Sequence, residues 1–371
     1  MNRSNVLEIK KTLKITEKDI PSIDTICTCF VNGEKEKLIA NTEKYNSLDE
    51  EEQYKYIEIL KSVLTGTIGK KLINLSYTEG ETSARAQSSI EGTYKEMFKN
   101  DFVRDEFFTH VIENYDFGEN YLLVAGHGIY DVPMKASDGA RLEDETETYE
   151  FMIAAICPIH STKAGLTLDT SKGRMVSSKQ IQIVEAPVNG FLYPAFNDRQ
   201  TDTMSMLFYA KKPEEDHKEL MEALTGSEAP LSCTTQQNIF ENIISEVTDD
   251  KADMEIIKNI QENLSELSGS PDNEKITKET IKKVLEESGV SRGKLTDFDH
   301  IYGRAGGNEK AEFDPQNLTD LSKFHLKSPD VEIKVKPGKR KLVRKDKING
   351  KNCIIVELED QDIKVNGIPI E

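Results

Sequence analysis

Apolar positions change period along this chain, and each change marks a different kind of element. Residues 1–20 are polar with an amphipathic hint (Val6, Leu7, Ile9, Leu13, Ile15). TICTCFVNGEKEKLIA (25–40) predicts a hairpin around Asn32-Gly33, an Asn-Gly turn signal. Ser47, with Glu50 three residues later, reads as a capping box. The helix it opens carries Ile57, Leu60, Val63 and Leu64 as its stripe. A strand is predicted over 66–78 and a polar loop over 79–92. Helix follows around 93–115, with Phe107, Phe108, Val111 and Ile112 on one side.

The period then shortens. YLLVAGHGIYDV (121–132) and YEFMIAAICPI (149–159, stopped by Pro158) read as strands, separated by an acidic connection over 137–148. GLTLD, QIQIV and SMLFYAK (205–211) continue the alternation. Near-continuous apolar strands suggest a sheet covered on at least one face. From Pro213 the spacing is helical again, through Leu220, Met221 and Leu224 to Gly226. Two further stripes follow, Ile239, Phe240, Ile243, Ile244, Val247 and Met254, Ile257, Ile260, Leu264, Leu267. SGSPDNEK (268–275) is a linker, and Thr277 opens a short helix that ends before Gly289. A glycine-containing loop spans 299–317. The tail, 328–371, reads as a β-meander with turns at Pro337-Gly338, Asn349-Gly350 and Asn366-Gly367. No internal repeat is evident. The expectation is an α+β protein with a mixed sheet and helices, a helical middle segment and a C-terminal β-meander. Its segments are 1–212, 213–290 and 291–371.

Composition narrows the class. At 371 residues the chain is long enough for two or three domains. No apolar run approaches the length of a membrane helix, and the N-terminus carries no apolar secretory segment. Five cysteines at wide spacings (Cys27, Cys29, Cys157, Cys233, Cys353) match no disulfide framework or zinc pattern. Reduced thiols and a cytoplasmic location are expected. Cys27-x-Cys29 alternates along a strand, so both side chains share one face.

The net charge of −18 excludes a uniformly basic nucleic-acid coat, but the charge is uneven. Between 323 and 351 lie eleven Lys/Arg and three acids, a net of +8, which leaves −26 on the rest of the chain. Eight of these cations, Lys334, Lys336, Lys339, Arg340, Lys341, Arg344, Lys345 and Lys347, fall in one predicted hairpin segment. A cationic ribbon can follow phosphates in a salt-dependent way. The competing reading is a solvated face that pairs with the chain's own acids. No aromatic residue lies between 328 and 371, so backbone contact fits better than base stacking.

Catalytic signals are weak. Gly126-His127-Gly128 either exposes an imidazole to substrate or marks a bulge with a satisfied histidine. Cys157-Pro-Ile-His160 offers a Cys/His pair without further partners. GFLYPAFNDRQTDT (190–203) concentrates Asn197, Asp198, Arg199 and Asp202 between apolar segments, either a ligand loop or a turn locked by an Asp–Arg pair. An enzyme reading, hydrolase or nuclease, would use His127, Asp198, Arg199 and Asp202. Arg304-Ala-Gly-Gly307 is no P-loop, and no cofactor or metal is expected.

Two resemblances follow from these residues. ENYDFGENYLLVAGHGIYDVP, YEFMIAAICPI with STKAGLTLD, GFLYPAFNDRQTDTMSMLFYAK and DVEIKV…VNGIPI resemble an uncharacterised bacterial domain-of-unknown-function family, number four-three-one-seven in its series. That implies a cytoplasmic bacterial protein and no known activity. The C-terminal half also resembles bacterial nucleoid-associated proteins of the thirty-seven-kilodalton class. KELMEALTG, TTQQNIFENIISEV, LTDLSKFHLKSPDVEIKVK and DIKVNGIP carry that second likeness. It implies a non-catalytic protein that contacts duplex DNA through the basic segment. Dimerisation is expected, because one hairpin offers few phosphate contacts. The remaining reading is an acidic module that binds a basic protein or mimics DNA. No membrane partner is expected.

Overall fold

The structure is a computed structural model of the chain. It describes all residues except 15–21, 136–140, 216, 250, 270–274, 310, 337, 359–362, 366–367 and 371. Pro337, the Asn366-Gly367 turn, most of the 268–275 linker and residues 137–140 of the acidic connection therefore lie outside the described residues. The chain divides into two compact units, Met1–Ser232 and Cys233–Glu371.

The first unit is built on one large sheet. Its strands are β1 (Ile23–Val31), β2 (Lys37–Lys44), β3 (Leu72–Ser76), β4 (Tyr121–Lys135) and β5 (Arg141–Ser161). The short pair β6 (Gly165–Asp169) and β7 (Arg174–Ser178) forms a separate hairpin. β8 (Gln182–Val184) and β9 (Asn189–Tyr193) return to the sheet. A small hairpin, β10 (Ala195–Asn197) and β11 (Gln200–Asp202), precedes β12 (Ser205–Ala210). The sheet order is β2-β1-β4-β5-β9-β12-β3, with β8 on β5, and these described pairings are antiparallel.

Helices cover both faces. α1 (Arg3–Thr12) and α2 (Glu50–Val63) pack Val6, Ile9, Ile57 and Leu60 against Val124, Phe151, Ile153 and Leu207. α3 (Glu81–Glu96), α4 (Asp101–Glu113) and α5 (Lys218–Thr225) bring Ile90, Tyr94, Phe108 and Leu220 to the opposite face, onto Cys27, Cys29, Leu123, Met152 and Phe208. Neighbours such as Leu123 and Val124 thus point to opposite cores, which is why the strands read as continuous apolar runs. Burying each large side chain contributes roughly 1.5–3 kcal/mol.

Local signals were partly superseded. Asp49, not Ser47, caps α2 by accepting from the Glu52 N–H at 2.8 Å, while the Ser47 hydroxyl donates to the Lys44 carbonyl in a preceding 3-10 turn. The Asn32-Gly33 hairpin forms as a longer loop, with Lys35 rather than Gly33 at positive φ. The polar stretch 79–92 is helix α3, whose buried residues are only Ser83, Ile90 and Tyr94. β5 does not stop at Pro158, since β9 has already left that edge and the missing N–H costs no ladder bond there. α5 begins at Lys218 instead of Pro213, and Gly226 closes it in a left-handed conformation (φ 61°). A Cβ at Gly226 would lie 2.5 Å from the Thr82 carbonyl oxygen. α5 belongs to the first core, through Leu220, Met221 and Leu224.

The second unit begins with α6 (Cys233–Thr248), α7 (Met254–Ser268) and α8 (Lys278–Glu287), the last capped by Thr277. α9 (Phe298–Arg304) and α10 (Pro315–Leu318) occupy much of the segment read as a glycine-containing loop. Ile239, Phe240, Ile243, Leu264, Leu285 and Phe298 are buried. The closing strands form three two-stranded pairs: β13 (Phe324–Lys327) with β14 (Glu332–Val335), β15 (Val343–Ile348) with β16 (Lys351–Val356), and β17 (Ile363–Val365) with β18 (Ile368–Ile370). Among the described residues, no helix is long and apolar enough to cross a membrane.

Candidate functional site

His127 sits on β4 opposite β1, where the register slips: Ile23 pairs with Gly128 but Thr25 with His127. This bulge turns Asp24 toward the imidazole. His127 Nδ1 lies 2.8 Å from Asp24 Oδ1, and Nε2 lies 2.9 Å from Glu150 Oε1. Lys95 of α3 completes the series, its Nζ 2.7 Å from Glu150 Oε2. Ionised carboxylates only accept hydrogen bonds, so this arrangement favours the form in which both ring nitrogens donate, the imidazolium. Burial opposes that charge, but the bonds to Asp24 and Glu150 outweigh it and hold the pKa above the ordinary 6.5. Burial likewise opposes ionisation of both carboxylates. The bond from His127 lowers the Asp24 pKa nonetheless, and bonds from Lys95 and His127 lower that of Glu150.

The flanking glycines are explained by packing on the other face of β4. A Cβ at Gly128 would lie 2.3 Å from the Phe151 ring, and one at Gly126 would lie 2.8 Å from Leu60 Cδ1. The Gly-His-Gly pattern is therefore a bulge partner with a doubly bonded histidine. With both nitrogens donating, the ring has no free lone pair to accept a proton from substrate.

The 190–203 stretch contains a cis Tyr193-Pro194 bond and then the β10–β11 hairpin. Asp198 (φ 48°) and Arg199 (φ 62°) are its two turn residues, both left-handed, as a two-residue hairpin requires. Arg199 does not pair with a neighbouring aspartate. It pairs with Glu8 of α1 and donates through Nη2 to the Pro133 carbonyl at 2.6 Å. Tyr130 donates to the same Glu8 at 3.0 Å. Asp202 accepts from the Asn197 side chain at 2.6 Å and from the Met204 N–H at 2.9 Å. Asp198 is exposed. Arg199 joins the α1–α2 face of the sheet, whereas His127 faces the α3–α5 side against Phe98. The structure does not bring His127 together with Asp198, Arg199 and Asp202.

The eight C-terminal cations do not share one hairpin. Lys334 is on β14, Lys336 and Lys339 follow it, Arg340 and Lys341 lie in a 3-10 turn, and Arg344, Lys345 and Lys347 are on β15. Several engage the chain itself. Lys334 lies 2.9 Å from Glu332, Arg344 3.3 Å from Glu357, and Lys341 3.9 Å from Glu262. Arg340 donates to the Lys258 carbonyl at 3.4 Å. Among the described residues, Lys336, Lys345 and Lys347 are exposed and form no ion pair.

Other chemistry is sparse. Cys27 and Cys29 do share a buried face, and burial pushes both thiols to about 11, while Cys157 is pushed to about 12. Among the described residues no group of three or more His, Cys, Asp or Glu side chains could hold a metal ion.

The family model described as "Domain of unknown function (DUF4317)" matches residues 1–368. The chain belongs to that family. No curated protein matches it significantly. The DUF4317 match runs through both units, so the cationic strands and the large sheet are parts of one family sequence.

Proposed function

We propose that this DUF4317 protein is a non-catalytic, nucleoid-associated-like protein that contacts the backbone of duplex DNA through its C-terminal cations. The observation that carries the reading is the set Lys336, Lys345 and Lys347, exposed and without an acidic partner among the described residues, in a chain that is −18 overall. Lys345 and Lys347 are two residues apart on β15, hence on one face and about 6.8 Å apart. Ammoniums so placed can each take a phosphate, with little readout of base sequence. The acidic remainder repels DNA and confines contact to these cations. A second copy would double the number of phosphates held, which supports a homodimer. The hydrolase or nuclease reading loses support, because its residues stand on opposite faces of the sheet.

Fluorescence anisotropy with a labelled duplex tests this. Three or four phosphate contacts per protomer give a slope of roughly −3 to −4 for log K against log salt. Exchange of Lys336, Lys345 and Lys347 for Glu should abolish binding. Unchanged affinity in that variant would overturn the proposal.

A further inference from the structure

A cavity of about 400 Å³ opens between α1 and α2 in the first unit, on a different unit from the C-terminal cations. Lys10, in the last turn of α1, and Lys14, just beyond its end, both line it. Tyr54, Glu58, Lys61, Ser62 and Thr65 enter from α2 and the residues just beyond it, at spacings that form one stripe. Three ammoniums thus line one small space in a strongly acidic chain. Glu58, the carboxylate among the described lining residues, is already engaged by Lys55 at 2.8 Å. Lys10 donates to the Thr65 hydroxyl, and its pKa is lowered by burial and by Lys61.

Packing alone does not account for this crowding. Both helices end near the cavity, and a helix C-terminus favours nearby cations. Each macrodipole amounts to only about half a charge, so two termini balance about one of the three ammoniums. An anion would relieve the remainder. Tyr54 adds a second feature, an aromatic ring on the same stripe that is 52% exposed. Lys55 Nζ lies 5.3 Å from that ring's centroid. Seven residues separate Tyr54 from Lys61, about 10.5 Å along the helix. A nucleoside diphosphate spans that distance from base to terminal phosphate.

We propose that the α1–α2 cleft binds a nucleoside phosphate, with its phosphates among Lys10, Lys14 and Lys61 and its base against Tyr54. Isothermal titration of the full chain with ADP, and separately with inorganic phosphate, is the test. ADP should bind more tightly than phosphate. Lys10→Gln and Lys61→Gln should each weaken ADP about tenfold, and Lys14→Gln about threefold. Tyr54→Ala should weaken ADP about tenfold while leaving phosphate unchanged. Lys345→Glu, in the other unit, should leave ADP binding intact, which separates this site from the DNA proposal. These side chains lie at the surface or at the cavity, and thermal unfolding of each variant reports folding independently. No ADP binding at millimolar concentration would overturn the proposal. So would phosphate binding as tight as ADP, or wild-type affinity in the Lys10→Gln/Lys61→Gln double variant.

Discussion

The ionic series around His127 and the cations of the closing strands handle charge in opposite ways. In the first, Asp24, His127, Glu150 and Lys95 alternate in sign and satisfy one another beneath α3. In the second, like charges follow one another along exposed strands, and Lys336, Lys345 and Lys347 find no acid among the described residues. A saturated network has little left to offer a ligand, and its energy goes into holding strands β1, β4 and β5 in register. An unsaturated run contributes little to folding and keeps its donors for a polyanion. Substitutions in the two regions should therefore separate cleanly. The first set should change stability, and the second should change binding.

The largest expected effect lies in the second region. Exchanging Lys336, Lys345 and Lys347 for Glu should lower duplex affinity on the order of a thousandfold at low salt, since three phosphate contacts become three repulsions. The midpoint of thermal unfolding should stay nearly constant, because exposed charges away from caps and networks change stability by about 0.5 kcal/mol or less. A large fall in the midpoint would mean that these lysines hold the hairpins together, and the contrast would fail.

Next comes the histidine. His127→Leu removes two charge-assisted bonds and should cost about 2–3 kcal/mol, measured by denaturant unfolding. The loss should depend on pH in a defined way. The His127 pKa is raised on folding, so its contribution is complete below about 6.5 and fades as pH rises through the folded-state value. The Asp24 and Glu150 values are lowered, so their contributions are complete above ordinary carboxylate values of 3.8 and 4.5 and fade as pH falls below them. The wild type should exceed His127→Leu most between about pH 4.5 and 6.5 and converge on it to either side. A margin that grows above pH 7 would mean a neutral ring. Gly128→Ala should cost a similar or slightly smaller amount, about 1–3 kcal/mol, by driving a methyl into the fully buried Phe151 ring.

The comparison also explains what the sequence could reveal. Strand patterns over 121–132 and 149–159 and the stripes of α6, α7 and α8 are local, and each predicted its element, whereas 141–148, read as part of an acidic connection, is the start of β5. α3 escaped because its inward stripe is so thin, with Ile90 and Tyr94 as its large buried residues in an otherwise polar stretch. The histidine's partners escaped for a different reason. Asp24 lies 103 residues from His127 and reaches it through a bulge, which no local period encodes. The cation count between 323 and 351 was plain, but which cations are neutralised was not. Lys341 meets Glu262 and Arg344 meets Glu357 only after the second unit folds. The Tyr54-to-Thr65 stripe is the polar side of an amphipathic helix, so it reads as solvated until Lys10 of α1 and Lys14 just beyond it come against it.

The smallest effect is the most discriminating for the 190–203 stretch. Arg199 occupies a left-handed position where glycine would sit without strain, and a non-glycine residue there costs about 1 kcal/mol. Its guanidinium returns a comparable amount by joining Glu8 and the Pro133 carbonyl, a partly buried contact worth about 1 kcal/mol. Arg199→Gly removes both terms and should leave stability within about 0.5 kcal/mol of wild type. Arg199→Ala keeps the strain and loses the contact, so it should be the less stable by about 1 kcal/mol. Equal stabilities for the two variants would show that the turn carries no strain. Arg199 would then be held there by its side-chain contacts alone, and the hairpin would join the saturated class on the same terms as His127.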